Sequence, residues 1–233
     1  MKRLIITILL ALSSVQVSTN IWAEGGEIEG LQLAEAPINR SDMESIKRGA
    51  KFFAGNCMSC HTLTYLRYDK VAKEANIATN NKPISINGVT PPDLSLVADS
   101  RGVNWVYTYL HSFYKDPAAA SGVNNLIFPG TAMPAVLAPY QGEQVLVEKP
   151  TYDLFHQVQW FDLVQPVKQG TMKGDEFDQA VADVVNFLAY AAEPFHIEQE
   201  RIGYWVLGFL AVLFVLMYLL KKEYWKDVKR DKE

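Results

Sequence analysis

Residues 57–61 have the sequence Cys-Met-Ser-Cys-His, and this stretch constrains the fold more than any other part of the chain. The order Cys-x-x-Cys-His is the attachment sequence of a c-type haem. Two thiols one short turn apart can bond the two vinyl groups of a porphyrin, and the histidine that follows can lie beneath the iron. We therefore predict one covalently bound haem c, held by Cys57 and Cys60, with His61 as the proximal ligand.

Two other uses of a Cys-x-x-Cys pair fit this sequence less well. A redox disulfide of this kind follows a strand in a βαβ pattern, and no such strand is predicted before Cys57. A structural zinc site needs four ligands, and the sequence contains only two cysteines in all.

The sixth ligand of the iron could be a histidine or a methionine. The remaining histidines are His111, His156 and His196, and their positions are more typical of core or surface residues. Met172 lies in a polar loop flanked by glycines, whereas Met133 lies beside a proline in the rigid loop 128–134. The spacing favours Met133 and leaves Met172 open. A thioether ligand raises the reduction potential, as suits an electron carrier.

Two apolar segments lie near the ends of the chain. A basic start and the apolar run Leu4–Leu12 are typical of a secretory signal, with cleavage expected after Ala23. Residues 202–220 carry no charge and would span about 28 Å as a helix, close to the thickness of a bilayer core. Lysine and arginine are frequent in residues 221–233, which predicts a cytoplasmic end.

These segments divide the chain into four parts. They are a signal peptide (1–23), an exported domain (24–200), a transmembrane helix (202–220) and a basic cytoplasmic tail (221–233). The net charge is −4, but residues 24–202 hold 22 Asp and Glu against 14 Lys and Arg. This acidic balance argues against a nucleic-acid partner and favours a basic protein partner, although an ordinary acidic soluble domain fits it equally well.

Apolar periodicity predicts a mainly α domain with long loops. The predicted helices cover residues 41–55, 103–116 and 175–193, and the first has a capping box between Ser41 and Glu44. Residues 62–100 and 117–150 contain many turn residues and are predicted as loops, whereas 151–174 are ambiguous. No alternating pattern predicts a strand.

Further blocks resemble the cytochrome c1 family in its bacterial form. They are Tyr65–Tyr68 (Tyr-Leu-Arg-Tyr), Pro91–Ser95 (Pro-Pro-Asp-Leu-Ser), Arg101, Phe128–Gly130 leading to Met133, Ala192–Pro194 (Ala-Glu-Pro) and the single C-terminal anchor. The resemblance implies a fold similar to class I cytochrome c, in which the first and last helices of the domain cross beside the haem. It implies Met133 as distal ligand, Pro92 near the haem and Arg101 paired with a haem propionate.

The resemblance also implies a function. Such a chain is the electron-transfer subunit of the ubiquinol–cytochrome c reductase (cytochrome bc1 complex) and is not catalytic alone. Its partners would be cytochrome b, the Rieske iron–sulfur protein as electron donor and a soluble cytochrome c as acceptor. The expected place is the bacterial inner membrane, with the haem domain on the periplasmic side. The alternatives are a membrane-anchored cytochrome of another complex, such as a terminal oxidase, and peroxidase-like catalysis at an open iron.

Overall fold

The computed structural model describes residues 31–79, 85, 88–147 and 158–230, and within them helices predominate. The helices are α1 (Met43–Asn56), α2 (Lys70–Glu74), α3 (Val97–Arg101), α4 (Val103–His111), α5 (Ala138–Gln141), α6 (Trp160–Leu163), α7 (Gly174–Ala192) and α8 (His196–Arg230), with a 3₁₀ turn at Thr64–Leu66. The strands are β1 (Leu31–Gln32), β2 (Phe113–Lys115), β3 (Val123–Asn125), β4 (Gly142–Leu146), β5 (Val158–Gln159) and β6 (Val164–Gln169). The prediction of a mainly α chain is therefore confirmed, in that the described residues are mostly helical.

The first helix begins two residues later than the sequence predicted, and its cap is a different residue. The Asp42 carboxylate accepts hydrogen bonds from the backbone N–H groups of Glu44 and Ser45, at 3.0 and 3.1 Å. Asp42 therefore caps α1 and Ser41 does not. A carboxylate is an equally good cap and also suits the positive end of the helix dipole, which explains the shift.

The core is built where α1 packs against α7. Phe53 and Phe187 are both fully buried, and their ring centroids lie 5.7 Å apart. Gly49 allows the close approach, because a Cβ at this position would lie 1.9 Å from the backbone oxygen of Asp183. The buried Asp183 carboxylate accepts hydrogen bonds from Arg48 and from Ser45, which link the two helices by polar contacts beside the apolar ones.

A small sheet lies where no strand was predicted. Four strands pair in the order β3-β2-β4-β6, and β1 pairs in parallel with β5. The helix prediction for residues 103–116 was wrong at its end, because α4 ends at His111 and β2 follows. The loop predictions were wrong for α2 and α3 in residues 62–100 and for β3, α5 and β4 in residues 117–150, and β6 occupies part of the ambiguous stretch. Strands of three residues, such as β2 and β3, are too short to give an alternating pattern.

The C-terminal helix α8 is long and apolar enough to cross a membrane over Glu198–Lys226. None of its most apolar window is buried against the rest of the chain. A buried core helix would be covered, so this exposure supports a candidate membrane anchor.

Candidate functional site

An open and mostly apolar cleft lies between α1, α4 and the loop that leads to Met133. Its space, including the part open to solvent, is about 1370 Å³. All six residues predicted as site residues line this one cleft: Cys57, Cys60, His61, Pro92, Arg101 and Met133. The structure therefore brings together residues that are up to 76 positions apart in the chain.

The end of α1 places the two thiols and the imidazole. Cys57 follows the last helical residue, and its carbonyl accepts the backbone N–H groups of Cys60 and His61 at 3.1 and 2.9 Å. This turn sets all three side chains along one edge of the cleft. Burial, with a smaller contribution from Cys60, raises the pKa of Cys57 to about 12. An uncharged thiol disfavours disulfide exchange, in which the thiolate is the reactive form.

The imidazole of His61 is held by a backbone carbonyl. Its Nδ1 lies 2.8 Å from the carbonyl oxygen of Pro92. Because a carbonyl can only accept, Nδ1 must carry the proton, which leaves a free lone pair on Nε2. Burial lowers the pKa of His61 and so favours the neutral ring. Pro92 thus acts through its backbone, a role that the sequence did not reveal.

The segment that carries Pro92 is fastened by Asp93. One carboxylate oxygen accepts from the Thr62 hydroxyl at 2.6 Å and the Thr64 N–H at 2.9 Å, and the other accepts from the Ser95 N–H at 2.9 Å. Burial would raise the pKa of Asp93, but these hydrogen bonds outweigh it and lower the pKa to about 2. The carboxylate therefore links residues on both sides of the His61–Pro92 contact.

The loop that leads to Met133 is organised by two asparagines. The Asn125 side chain is fully buried, accepts from the N–H groups of Ile127 and Phe128 at 3.1 and 3.2 Å, and donates to the Tyr109 carbonyl at 2.8 Å. Asn124 accepts from the Gly130 N–H at 2.8 Å. Gly130 has a φ of 76°, a conformation that favours glycine.

Met133 contacts a tyrosine from α4. Its sulfur accepts a hydrogen bond from the Tyr109 hydroxyl at 3.5 Å, and the same hydroxyl lies 2.8 Å from the Thr131 hydroxyl. The Met133 N–H donates to Thr131 Oγ1 at 3.3 Å. Burial raises the pKa of Tyr109 despite the opposing Thr131 contact. Tyr109 was not predicted as a site residue, because its spacing on α4 resembles ordinary core packing.

Arg101 and Trp105 bring hydrogen-bond donors to the cleft wall. The Arg101 guanidinium lies 5.1 Å from the Trp105 ring centroid and 5.9 Å from that of Phe128, and no carboxylate pairs with it among the residues that the structure describes. The Trp105 Nε1 is buried and lacks an acceptor within the same ranges. A buried N–H without an acceptor is costly, so a ligand that supplies a carboxylate would suit this wall.

The other candidate ligands lie away from the cleft or outside the described residues. Met172 packs against the main core, and its side chain does not line the cleft. His111 is buried, with its ring nitrogens at the Tyr107 carbonyl and the Asp178 carboxylate. His196 is the first residue of α8, and its ring nitrogens lie near the carboxylates of Glu193 and Glu200. His156 lies outside the described residues.

The chemistry of the cleft fits a haem c. It offers apolar walls, two thiols, an imidazole whose neutral form is favoured and a thioether, together with donors on Arg101 and Trp105 that suit carboxylates. These are the groups needed for thioether links, two axial ligands and propionate contacts. The described part of the chain contains no cluster of three or more His, Cys, Asp or Glu residues that could hold a separate metal ion.

Comparison with known proteins identifies the family. The family model described as the Cytochrome C1 family matches residues 33–85 and 77–228. The cytochrome c1 of Allochromatium vinosum is 41% identical over an alignment of 251 positions, which covers 98% of this chain and 100% of that protein. The ammonia monooxygenase gamma subunit of Nitrosomonas europaea is 40% identical over 220 residues, covering 85% and 89%. The cytochrome c1 of Blastochloris viridis is 25% identical over 285 residues, covering 98% and 97%.

The family match and the cleft agree, because the matched region contains the attachment sequence and the residues that surround it. Membership implies a membrane-associated electron-transfer subunit that carries haem c. The resemblance predicted from the sequence is therefore confirmed, and the chain belongs to the cytochrome c1 family.

Proposed function

We propose that this chain is the electron-transfer subunit of a ubiquinol–cytochrome c reductase (cytochrome bc1 complex), between a Rieske iron–sulfur protein and a soluble cytochrome c. The observation that carries the proposal is the single cleft lined by His61 and Met133 with the two thiols at its edge. If His61 and Met133 both bound the iron, no position would be left open for a substrate, which would suit electron transfer.

Each residue of the cleft has a place in this proposal. Cys57 and Cys60 would form the thioether links, while His61 would present Nε2 to the iron with its Nδ1–H donated to the Pro92 carbonyl. Met133 would present its sulfur from the other side. Arg101 and Trp105 would bind the propionates, since among the described residues no carboxylate pairs with Arg101 and the buried Trp105 Nε1 has no acceptor. When bound, haem c supplies a one-electron couple between ferric and ferrous iron.

The proposed arrangement in the membrane rests on the two apolar segments near the ends of the chain. We infer a cleaved signal at 1–23, an exported domain at 24–200 with a class I cytochrome c-like fold, a transmembrane helix at 202–220 and a cytoplasmic tail at 221–233 in the inner membrane. The exposed apolar face of α8 and the packing of α1 on α7 beside the cleft support this arrangement.

Copurification tests the proposed complex. The full chain, tagged after residue 233 and solubilised in mild detergent, is expected to bring down a cytochrome b and an iron–sulfur protein. Recovery with terminal oxidase subunits, or with a monooxygenase as the name of the Nitrosomonas europaea relative suggests for that protein, would contradict the assignment. An untagged strain processed in parallel controls for proteins that bind the resin.

A further inference from the structure

Three residues form a closed ring of hydrogen bonds beside the cleft. The Met133 N–H lies 3.3 Å from Thr131 Oγ1, the Thr131 hydroxyl lies 2.8 Å from Tyr109 Oη, and Tyr109 Oη lies 3.5 Å from the Met133 sulfur. The ring therefore begins and ends on the same methionine, once at its backbone and once at its side chain.

The directions of these hydrogen bonds follow from the chemistry of the sulfur. A thioether can only accept, so the single proton of the Tyr109 hydroxyl points to Met133. The Thr131 hydroxyl must then donate to Tyr109 Oη, and its remaining lone pair accepts the Met133 N–H. Each hydrogen is used once, and every donor has an acceptor.

The tyrosine is fixed in place by its neighbours on three sides. Its ring stacks on Trp105 with centroids 5.0 Å apart and an interplanar angle of 9°, and it meets Phe113 edge to face at 5.1 Å. Its own backbone carbonyl is bonded by the Asn125 side chain. These contacts fix the ring of Tyr109 and so hold its hydroxyl beside the Met133 sulfur.

We propose that Tyr109 is a positioning residue that sets the ligand strength of Met133 through its O–H···S hydrogen bond. This inference rests on the proposed function, in which the Met133 sulfur is the distal ligand. A proton donor on the second lone pair of the sulfur withdraws electron density from it. A sulfur that gives less electron density to the iron stabilises the ferric state less, relative to the ferrous state. The hydrogen bond therefore raises the reduction potential.

Potentiometric titration of the membrane-bound holoprotein tests the proposal with Tyr109→Phe. Only the difference in hydrogen-bond strength between the two oxidation states shifts the redox equilibrium, and a hydrogen bond to a thioether is weak, so we expect about a threefold shift toward the ferric form. At 59 mV per tenfold change for one electron, this lowers the potential by about 30 mV. The far-red absorption band of methionine bound to ferric iron should remain.

A matched control and a second variant complete the experiment. Tyr107→Phe removes a hydroxyl from the same helix, on a residue that does not line the cleft, and should leave the potential unchanged. Thr131→Val should lower the potential less than Tyr109→Phe, because the tyrosine proton remains on the sulfur. The double variant should match Tyr109→Phe, since both changes act through one hydrogen bond.

The outcomes separate this inference from the proposed function. An unchanged or higher potential in Tyr109→Phe, with the far-red band retained, overturns the role of Tyr109 and leaves Met133 as ligand. Loss of the band in Tyr109→Phe also overturns it, since the tyrosine would then hold the loop and not tune the sulfur. A wild-type protein without the band refutes the Met133 ligand and this inference together.

Discussion

On one side of the cleft the imidazole comes from the attachment motif itself and is oriented by a backbone carbonyl, at a distance of 2.8 Å. On the other side, the sulfur comes from a loop whose shape depends on the side chains of Asn124, Asn125 and Tyr109. The thiols and the imidazole of the first side are contiguous in the sequence, and a backbone carbonyl orients the ring. The shape of the second side depends on three separate side chains, and single substitutions should disturb it more selectively.

The largest effect is expected on the histidine side. His61→Ala removes the proposed proximal ligand, and its loss should cost at least as much as the 10- to 100-fold typical of a ligand's supporting partners. We expect more than about a tenfold fall in haem-bearing protein at equal expression, measured by haem staining and immunoblot. Near-normal haem content would mean that another residue takes the proximal position.

The methionine side should fail differently. Met133→Ala should keep the covalent pigment, because both thiols and His61 remain, but it should open the iron to carbon monoxide. The reduction potential should fall by on the order of 0.2 V, part of the range of about 0.8 V that axial ligands span. Redox titration and carbon monoxide difference spectra measure both effects.

Met172→Ala is the matched control for this change, because Met172 packs against the core and does not line the cleft. It should leave the potential and the carbon monoxide response as in the wild type. The reverse result, with Met172→Ala opening the iron, would move the ligand to Met172.

A substitution behind the loop should weaken the methionine side without touching the ligand. Asn125→Ala leaves the buried N–H groups of Ile127 and Phe128 without their acceptor, which should cost about 3 kcal/mol of unfolding free energy. Urea unfolding followed at the far-red band measures it. Ser112→Ala, which removes only a donor to the same amide, should cost about 1 kcal/mol. Equal losses would show that the amide does not organise the loop.

The smallest effect is expected at Asp93, and it should depend on pH. The folded pKa of about 2 lies below the ordinary value, so the stability it contributes is present above about pH 4 and is lost as the pH falls toward 2. Asp93→Ala should cost about 1 kcal/mol at pH 7 and much less at pH 2.5 in urea unfolding. An equal loss of unfolding free energy at pH 7 and pH 2.5 would show that the charge of Asp93 does not contribute to stability.

The sequence predicted the histidine side better than the methionine side for the same physical reason. Cys57, Cys60 and His61 are contiguous, and the three main helices α1, α4 and α7 have clear apolar faces, so local patterns suffice. The sheet was missed because β2 and β3 have three residues each, and because β4 pairs with segments about 20 to 30 positions away. Trp105 and Tyr109 were missed because aromatic residues four apart on a helix resemble core packing.

The absorption spectrum of the purified wild-type protein, before and after acid–acetone extraction, tests the central claim most directly. The account predicts a c-type band in the reduced protein that survives extraction, and a weak far-red band in the oxidised protein from sulfur bound to ferric iron. A pigment that washes out, or an oxidised spectrum without the far-red band, would contradict it.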